Sequence, residues 1–421
     1  MKARSFMLIA GEASGDHLAA ELVQAMRQEL AARTVPLTWD YQPLYTSLEP
    51  KFFGAGGAQM AAAGVELAFD MTAHSVTGLS DVLRNLLKFR RLFKQLYNLA
   101  LKREPDAIIC VDFSGFNRRF AHAIRQYARA HQDWFHDWNP VIIQYVSPQL
   151  WASRENRVHQ IAKDFDLVLS IVPFEKGWYQ ARVPNLPMEF IGHPLVDRYE
   201  PVKATAQPER TTASGSTTIL VLPGSRPGEI TRHLPVIDGA LRRIRAELPQ
   251  VRATMVLPNE VLLARARSIG FSEQIQARIG GLADALRQAD LAIASTGTVT
   301  LECAYFGVPA VALYKTSWFT WQIASRIATV KYAAMPNLLA NEEIFPEFIQ
   351  DAATPANIAN AAVALLRDAA RRRKIKDHLP EIVKALGPPG ASVRAAAAIL
   401  EVLESKRPTV QGFGSAATVA Q

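Results

Sequence analysis

An α/β architecture of two parallel-sheet, Rossmann-like domains facing a central cleft is predicted by three features of the sequence. Short continuous apolar runs alternate with longer amphipathic segments, the pattern of buried parallel strands joined by crossover helices. The alternation stops at Pro201–Ser216, a stretch rich in Thr, Ser, Pro and Ala, and then restarts. Such a stretch reads as an interdomain linker. The 421 residues are 49% apolar and 20% charged, which suits two or three domains with cores of ordinary size.

In the first half, Phe6–Ala10, Ala107–Val111, Val141–Tyr145 and Leu167–Val172 read as strands, and His17–Arg33, Asp81–Arg103 and Phe116–Ala130 as helices. In the second half, Ile219–Leu222, Ala253–Leu257, Leu291–Ala294 and Ala310–Tyr314 are strand-like. Helical patterns cover Glu229–Leu248, Val261–Ile269, Leu282–Gln288 and Val299–Phe306, and the chain is then mostly helical to about Ser405. The small, polar tail is expected to be disordered.

Composition narrows the function classes. The two cysteines, Cys110 and Cys303, lie in apolar runs and read as buried thiols of a protein from a reducing cytoplasm. No CxxC or HExxH occurs, so neither a structural nor a peptidase zinc is expected. Phe6–Ala10 is too short for a signal peptide, and no run of about 18 apolar residues exists to span a membrane. The net charge of +8 permits an anionic partner: a nucleotide, a nucleic acid or a lipid surface.

Ligands of doubly wound sheets bind beyond the carboxyl ends of strands, and the polar motifs lie there. The first strand runs into Gly11-Glu12-Ala13-Ser14-Gly15-Asp16. This turn either brings backbone amides to a ligand or is a tight turn with Asp16 as helix cap. The glycines of Phe53-Gly54-Ala55-Gly56-Gly57 suit close approach of a substrate or form a plain loop. Neither turn has the GxGxxG spacing, which disfavours an NAD enzyme. Asp112, in Val111-Asp112-Phe113-Ser114-Gly115-Phe116-Asn117, is placed for a general base or for a helix cap. Tyr145–Trp151 has the mixed character of a pocket or a core wall, and Arg154 and Arg157 beyond it read as solvated.

In the second domain, Gly224, Ser225 and Arg226 form an anion-binding turn, with a guanidinium fork beside backbone amides. Ser295-Thr296-Gly297-Thr298 is a second hydroxyl-rich turn, with Glu302 one helical turn on. Glu302 could take ribose hydroxyls, or it could pair with Thr298 as an approximate capping box. The segment Gly78–Arg103 combines Leu83, Leu86 and Leu87 with Arg84, Lys88 and Arg91. It reads as a basic amphipathic helix on an anionic bilayer or as a helix packed on the sheet.

Together these segments resemble the lipid-A-disaccharide synthase family of inverting glycosyltransferases. The matches run in order: AGEASGD (10–16), GAGGAQMAAAG (54–64), YVSPQLWA (145–152), VPFEKGWY (172–179), FIGHPLVD (190–197), LPGSRPGEI (222–230), STGTVTLE (295–302) and MPNLLANEEIFPEFIQ (335–350). The resemblance implies a GT-B fold with no cofactor and no catalytic metal. Residues 1–200 would bind the acceptor, 201–216 would link, and 217–386 would bind the UDP-sugar. A helix over 387–405 would pack back on the first domain, followed by the tail at 406–421.

The resemblance further implies transfer of 2,3-diacylglucosamine from UDP-2,3-diacylglucosamine to 2,3-diacylglucosamine 1-phosphate, at the inner face of the cytoplasmic membrane and without nucleic acid. UDP would meet Gly224, Ser225, Arg226, Ser295, Gly297, Thr298, Glu302 and Asn337. The acceptor and transferred sugar would meet Gly11, Glu12, Ser14, Gly15, Gly56, Gly57 and Asn117. Asp112 is the expected base and Asp16 its rival. The family's second Asp after this strand is Gly115 here, so Asp112 is expected to lack a nearby like charge. The family's second Trp of WAW is Ser153, and Trp39–Pro50 is extra sequence. A UDP-sugar 2-epimerase of the same fold and a non-catalytic UDP-sugar or lipid-binding paralogue are the alternatives.

Overall fold

The computed structural model describes residues 4–33, 49–72, 86–204, 217–327 and 329–406. The first domain contains β1 (Ser5–Ala10), α1 (Ala13–Ala32), β2 (Lys51–Gly56), α2 (Ala58–Ala62), β3 (Glu66–Asp70), α3 (Leu86–Arg103), β4 (Ala107–Val111) and α4 (Ser114–Ala130). It continues with β5 (Val141–Tyr145), α5 (Val158–Asp164), β6 (Leu167–Ser170), α6 (Glu175–Gln180), β7 (Met188–Phe190) and α7 (Pro194–Ala204). The second contains β8 (Thr218–Leu222), α8 (Pro227–Glu247), β9 (Arg252–Leu257), α9 (Glu260–Ile269), β10 (Ile275–Ile279), α10 (Leu282–Gln288), β11 (Leu291–Ser295) and α11 (Thr298–Tyr305). It ends with β12 (Ala310–Tyr314), α12 (Trp318–Ile327), α13 (Met335–Ala340), β13 (Glu347–Ile349), α14 (Pro355–Arg367), α15 (Ala369–Ala385) and α16 (Ala391–Ser405).

The strands form two sheets, ordered β3-β2-β1-β4-β5-β6-β7 and β10-β9-β8-β11-β12-β13. Every described pairing is parallel. Strand order reverses between β1 and β4 in one sheet and between β8 and β11 in the other. These switch points open the crevice where such sheets bind ligands. The loops after those four strands carry Glu12, Asp112, Arg226 and Ser295.

The eight apolar runs all form strands, and their residues are almost wholly buried. Five strands lie outside the apolar runs: the interior β2, which carries Gly54 and Gly56, and β3, β7, β10 and β13, which are the four sheet edges. An edge strand needs no continuous apolar run; β3 alternates exposed and half-buried positions along Glu66–Asp70. The strand ending at Asp112 is accordingly the fourth of its sheet in chain order, and the one ending at Ser295 the fourth of the second domain. Cys110 and Cys303 are free and buried.

The chain returns to the first domain at its end. Ala395, Ala396, Ile399, Leu400 and Leu403 of α16 join the core formed by Leu22, Val23 and Met26 of α1 with β1, β4 and β5. Two crossings between domains lie side by side. His193 donates its backbone N–H to the Leu386 carbonyl at 2.8 Å, and Arg394 Nε donates to the Ile191 carbonyl at 2.8 Å. Gly192 and Gly387 both take positive φ, 82° and 87°, and a Cβ on Gly387 would stand 3.2 Å from the Gly192 Cα. Glycine is needed here both for the backbone angle and for the close approach.

Helix α7 continues to Ala204, so the expected linker begins within a helix. Residues 205–216 of that linker, 39–48 of the extra sequence and 407–421 of the tail lie outside the described residues. No described helix is long and apolar enough to cross a membrane.

Candidate active site

Glu12 precedes α1 in extended conformation, and its side chain does not cap that helix. It reaches the other domain instead, accepting a hydrogen bond from Arg226 Nη2 at 2.9 Å. Gly11 lets this turn lie against the next loop, since a Cβ there would stand 2.4 Å from the Phe113 ring. Ser14 is exposed in the first turn of α1, and Gly15 is buried on the sheet side.

Asp112 and Phe113 are consecutive left-handed residues, with φ of 46° and 43°. Each such conformation costs on the order of 1–3 kcal/mol and persists only when its surroundings hold it. The Asp112 N–H donates to the Tyr145 carbonyl at 2.8 Å. Its carbonyl accepts from Asn117 Nδ2 at 2.9 Å and Gln144 Nε2 at 3.2 Å. Asn117 is fully buried. Its amide nitrogen fixes the backbone beneath Asp112.

Burial pushes the Asp112 carboxyl above the usual carboxylate range, and the nearby Glu12 adds to the rise. The Phe113 N–H and the Arg226 charge oppose it. Asp112 therefore has a like-charged neighbour after all, supplied by the first loop and not by the position of Gly115.

Asp16 departs from its expected capping role. It lies within α1, not at its cap. Its carboxylate accepts from the backbone N–H of Gly57 at 2.6 Å, Gln59 at 2.9 Å and Met60 at 3.1 Å. It thus holds the start of α2, with both oxygens engaged. A Cβ on Gly57 would lie 2.7 Å from Asp16 Oδ2, and one on Gly56 would lie 2.1 Å from Met60 Sδ. Those two glycines serve this packing, which leaves no room for a side chain at either position.

The loop after β5 is fixed by Glu175, whose buried carboxylate accepts from Ser147 Oγ, from Ser170 Oγ at 2.5 Å and from Trp151 Nε1 at 2.7 Å. The second domain grips the same loop: Thr329 donates its N–H to the Ala152 carbonyl at 3.1 Å and its hydroxyl to the Trp151 carbonyl at 2.7 Å.

Across the cleft, Arg226 caps α8 between two carboxylates, Glu12 and Glu229, the latter with Oε1 3.5 Å from Nη1. Glu229 also accepts the Ser225 N–H at 2.9 Å. Gly224, at φ 128°, makes room for that carboxylate, since a Cβ would meet Glu229 Oε2 at 2.4 Å. The turn thus has the donors of an anion site, engaged by a carboxylate of its own helix.

His233 was not evident from the sequence. It is fully buried, with Nδ1 2.7 Å from the Pro223 carbonyl and Nε2 accepting the Lys315 N–H at 2.9 Å. These partners require a neutral ring protonated at Nδ1, and burial lowers its pKa accordingly. The imidazole ties the Arg226 loop to the loop after β12. The available signal was a histidine on the buried stripe of Ile230, Leu234 and Ile237.

Ser295 is buried at the end of β11, and Thr298 is exposed at the start of α11. Gly297, at φ 116°, occupies the cap position, and no side chain caps the helix there. The approximate capping box is therefore not formed. Glu302 is 7% exposed; it accepts from the Tyr199 hydroxyl at 2.9 Å and lies 3.8 Å from Arg198. Burial raises its pKa. Its documented partners are thus α7 side chains rather than an open ribose site.

Asn337 Nδ2 donates to the Phe345 carbonyl at 2.7 Å and to Glu347 at 3.2 Å, and its Oδ1 accepts the N–H groups of Ile344 at 2.9 Å and Phe345 at 2.8 Å. Fully buried and fully bonded, it folds the 337–347 loop. Each buried group stripped of its partner costs about 1–3 kcal/mol. Asn337→Ala should therefore lower the denaturant midpoint by several kcal/mol equivalent while the folded fraction keeps its UDP affinity. A stable variant that has lost UDP affinity would return Asn337 to the nucleotide site.

Helix α3 settles its two readings only in part. Leu92, Leu96 and Ala100 are buried, and the Phe93 ring packs on Phe116 at 5.5 Å and Phe120 at 5.7 Å. Leu87 is 79% exposed, with Lys88 and Arg91 exposed beside it. Leu83, Arg84 and the Leu86 side chain lie outside the described residues. Among the described residues, no group of three His, Cys, Asp or Glu side chains could hold a metal.

A family model described as lipid-A-disaccharide synthetase matches residues 6–402. The chain belongs to the lipid-A-disaccharide synthetase family. Lipid-A-disaccharide synthase from Myxococcus xanthus is 34% identical over 95% of this chain and 98% of its own length. The one from Trichlorobacter lovleyi is 32% identical over 94% and 97%. Membership makes the chain a glycosyltransferase of lipid A synthesis. A UDP-N-acetylglucosamine 2-epimerase structure from Listeria monocytogenes superposes with a TM-score of 0.59 over 97% of this chain and 98% of that one, at 15% identity. The calicheamicin glycosyltransferase CalG4 gives 0.56 over 97% and 100%, at 14% identity. These two share the GT-B fold with the synthetase family, and the epimerase is a relative in fold alone.

Proposed function

We propose that this chain transfers 2,3-diacylglucosamine from its UDP conjugate to the 6-hydroxyl of 2,3-diacylglucosamine 1-phosphate, forming the β-1,6 disaccharide and UDP. One observation supports the residue roles: Arg226 of the second domain donates across the cleft to Glu12 at 2.9 Å, and the charges of both act on the Asp112 carboxyl. A β product from an α-linked donor requires attack from the face opposite the leaving group. Asp112 takes the proton of the 6-hydroxyl as the new C–O bond forms. The bond from the sugar to the diphosphate breaks, and its electron pair leaves with UDP. Arg226 and the Ser225 amide receive the negative charge that grows on the diphosphate.

With a guanidinium and a helix N-terminus at that point, the reading is metal-independent. The test is to incubate the purified protein with UDP-diacylglucosamine in excess chelator, with and without the monosaccharide phosphate. Disaccharide formed only with acceptor is the expected result. Activity that vanishes with chelator and returns with magnesium would overturn metal independence. Sugar isomerisation without acceptor would overturn the transfer reaction.

The exposed end of α3 supports a peripheral location at the inner face of the cytoplasmic membrane, where both acylated substrates reside. Basic residues near an anionic surface contribute about 1 kcal/mol each. Replacing Leu83, Leu86 and Leu87 with Ser should release the protein from anionic vesicles with its circular dichroism unchanged. Unfolding of that variant would make these side chains part of the core.

A further inference from the structure

Four arginines lie on the two segments that follow the adjacent strands β4 and β5. Arg118 and Arg119 lie early in α4, the helix that begins just past Asp112 and Phe113; Arg118 stands about 6 Å along its axis from Ser114, four residues at about 1.5 Å each. Arg154 and Arg157 lie on the loop beyond β5, the strand paired with β4. The two segments meet where the Arg118 guanidinium donates to Gln160 of α5. Burial is the main cause that disfavours the protonated forms of Arg118 and Arg157, and like charges add to it: Arg119 and Arg154 act on Arg118, and Arg154, Arg118 and Arg119 on Arg157. Asp164 partly offsets Arg118, but its carboxylate lies 3.0 Å from His122 Nδ1. The nearby Glu155 is taken by Arg182 at 2.6 Å. Among the described residues, none of the four arginines forms an ion pair.

The loop that carries two of them is built rather than floppy. Arg154 is held at φ 62° and ψ 43°, a conformation a non-glycine residue adopts only under constraint. The constraint is the Glu175 and Thr329 clamp on Trp151 and Ala152. Unpaired guanidinium forks on a clamped loop and a helix match the oxygens of a phosphate.

We propose that Arg118, Arg119, Arg154 and Arg157 form a receptor for a phosphate monoester, the 1-phosphate of the acceptor. This rests on the transfer reaction above. One pyranose ring separates the acceptor's 6-hydroxyl from its anomeric phosphate. The phosphate held at the arginines would leave the hydroxyl end of the ring toward Asp112, and the cluster would select a phosphorylated acceptor.

The test compares wild type with Arg154→Gln/Arg157→Gln and with Arg118→Gln, using 2,3-diacylglucosamine 1-phosphate and its dephosphorylated analogue as acceptors. The expected result is an acceptor KM raised at least tenfold in the double variant, kcat and donor KM within about threefold, and loss of preference for the phosphorylated acceptor. Sedimentation with phosphatidylglycerol vesicles separates the other source of the same chemistry. Lost vesicle binding with intact acceptor preference would overturn the proposal in favour of a lipid headgroup site. Unchanged KM and preference in both variants would overturn it outright. If the wild type transfers no sugar, the reaction assignment fails. Direct binding then decides the receptor: it stands if wild type binds the phosphorylated monosaccharide over its analogue and the variants do not, and it falls otherwise.

Discussion

Asp112→Asn should lower kcat by about 10²–10⁴-fold, the usual contribution of a positioned general base, while UDP affinity stays within about twofold. Asparagine preserves the shape and cannot take the proton. The left-handed backbone at Asp112 tolerates it well, because Asn is among the residues most often found there. The pH dependence provides a second readout. Turnover needs the ionised carboxylate, so the acid limb of kcat should follow its pKa. Burial and Glu12 raise that pKa, which places the limb above the ordinary carboxylate range of about 4. Glu12→Gln removes the like charge and should move the limb to lower pH. Near wild-type turnover in Asp112→Asn would remove it as the base. Asp16→Asn should act differently, by loosening the α2 loop that its two oxygens hold.

Arg226→Ala should weaken UDP binding by about 1.5–3 kcal/mol, the typical value of a charge-assisted hydrogen bond, or roughly 10–150-fold at about 1.4 kcal/mol per decade. Its kcat should fall by about 10²–10³-fold, as for other donors aimed at charge that develops in the transition state. In the ligand-free protein this guanidinium is shared by Glu12 and Glu229, so a diphosphate must compete with both. Arg226→Ala also removes a cation that lowers the Asp112 pKa. The acid limb of the residual activity should therefore move to higher pH, opposite to Glu12→Gln. Isothermal titration with UDP and a pH–rate profile test both points. Unchanged affinity and turnover would exclude Arg226 from the site.

Central strands were legible because burial on both faces forces continuous apolar runs, as in Ala107–Val111 and Val141–Tyr145. The edge strands carried no such constraint. The loops of the site were legible from their places after strands. The partners within them were not, because polar side chains of one type serve different ends in different surroundings. Asp112 feels the charges of Glu12 and Arg226, while Asp16 is spent on three backbone amides. Asn117 and Asn337 both sit in conspicuous motifs, yet each is a buried brace. The Glu12–Arg226 pair joins residues 214 positions apart, and nothing local in the sequence specifies such a pairing.

The return of α16 to the first domain sets an order on synthesis at the ribosome. The first domain's strands and helices have been made once Ala204 has been added, but its core lacks Ala395, Ala396, Ile399, Leu400 and Leu403. At 5–20 residues per second, roughly 190 further residues take about 10–40 s. During that interval the apolar face of α1 opposite the missing helix stands open on the nascent chain. The second domain, whose core draws on residues from Leu195 to Leu386, is completed first, although it is encoded second. A nascent chain stalled just past Leu386 would therefore present one finished domain and one binding site for a chaperone.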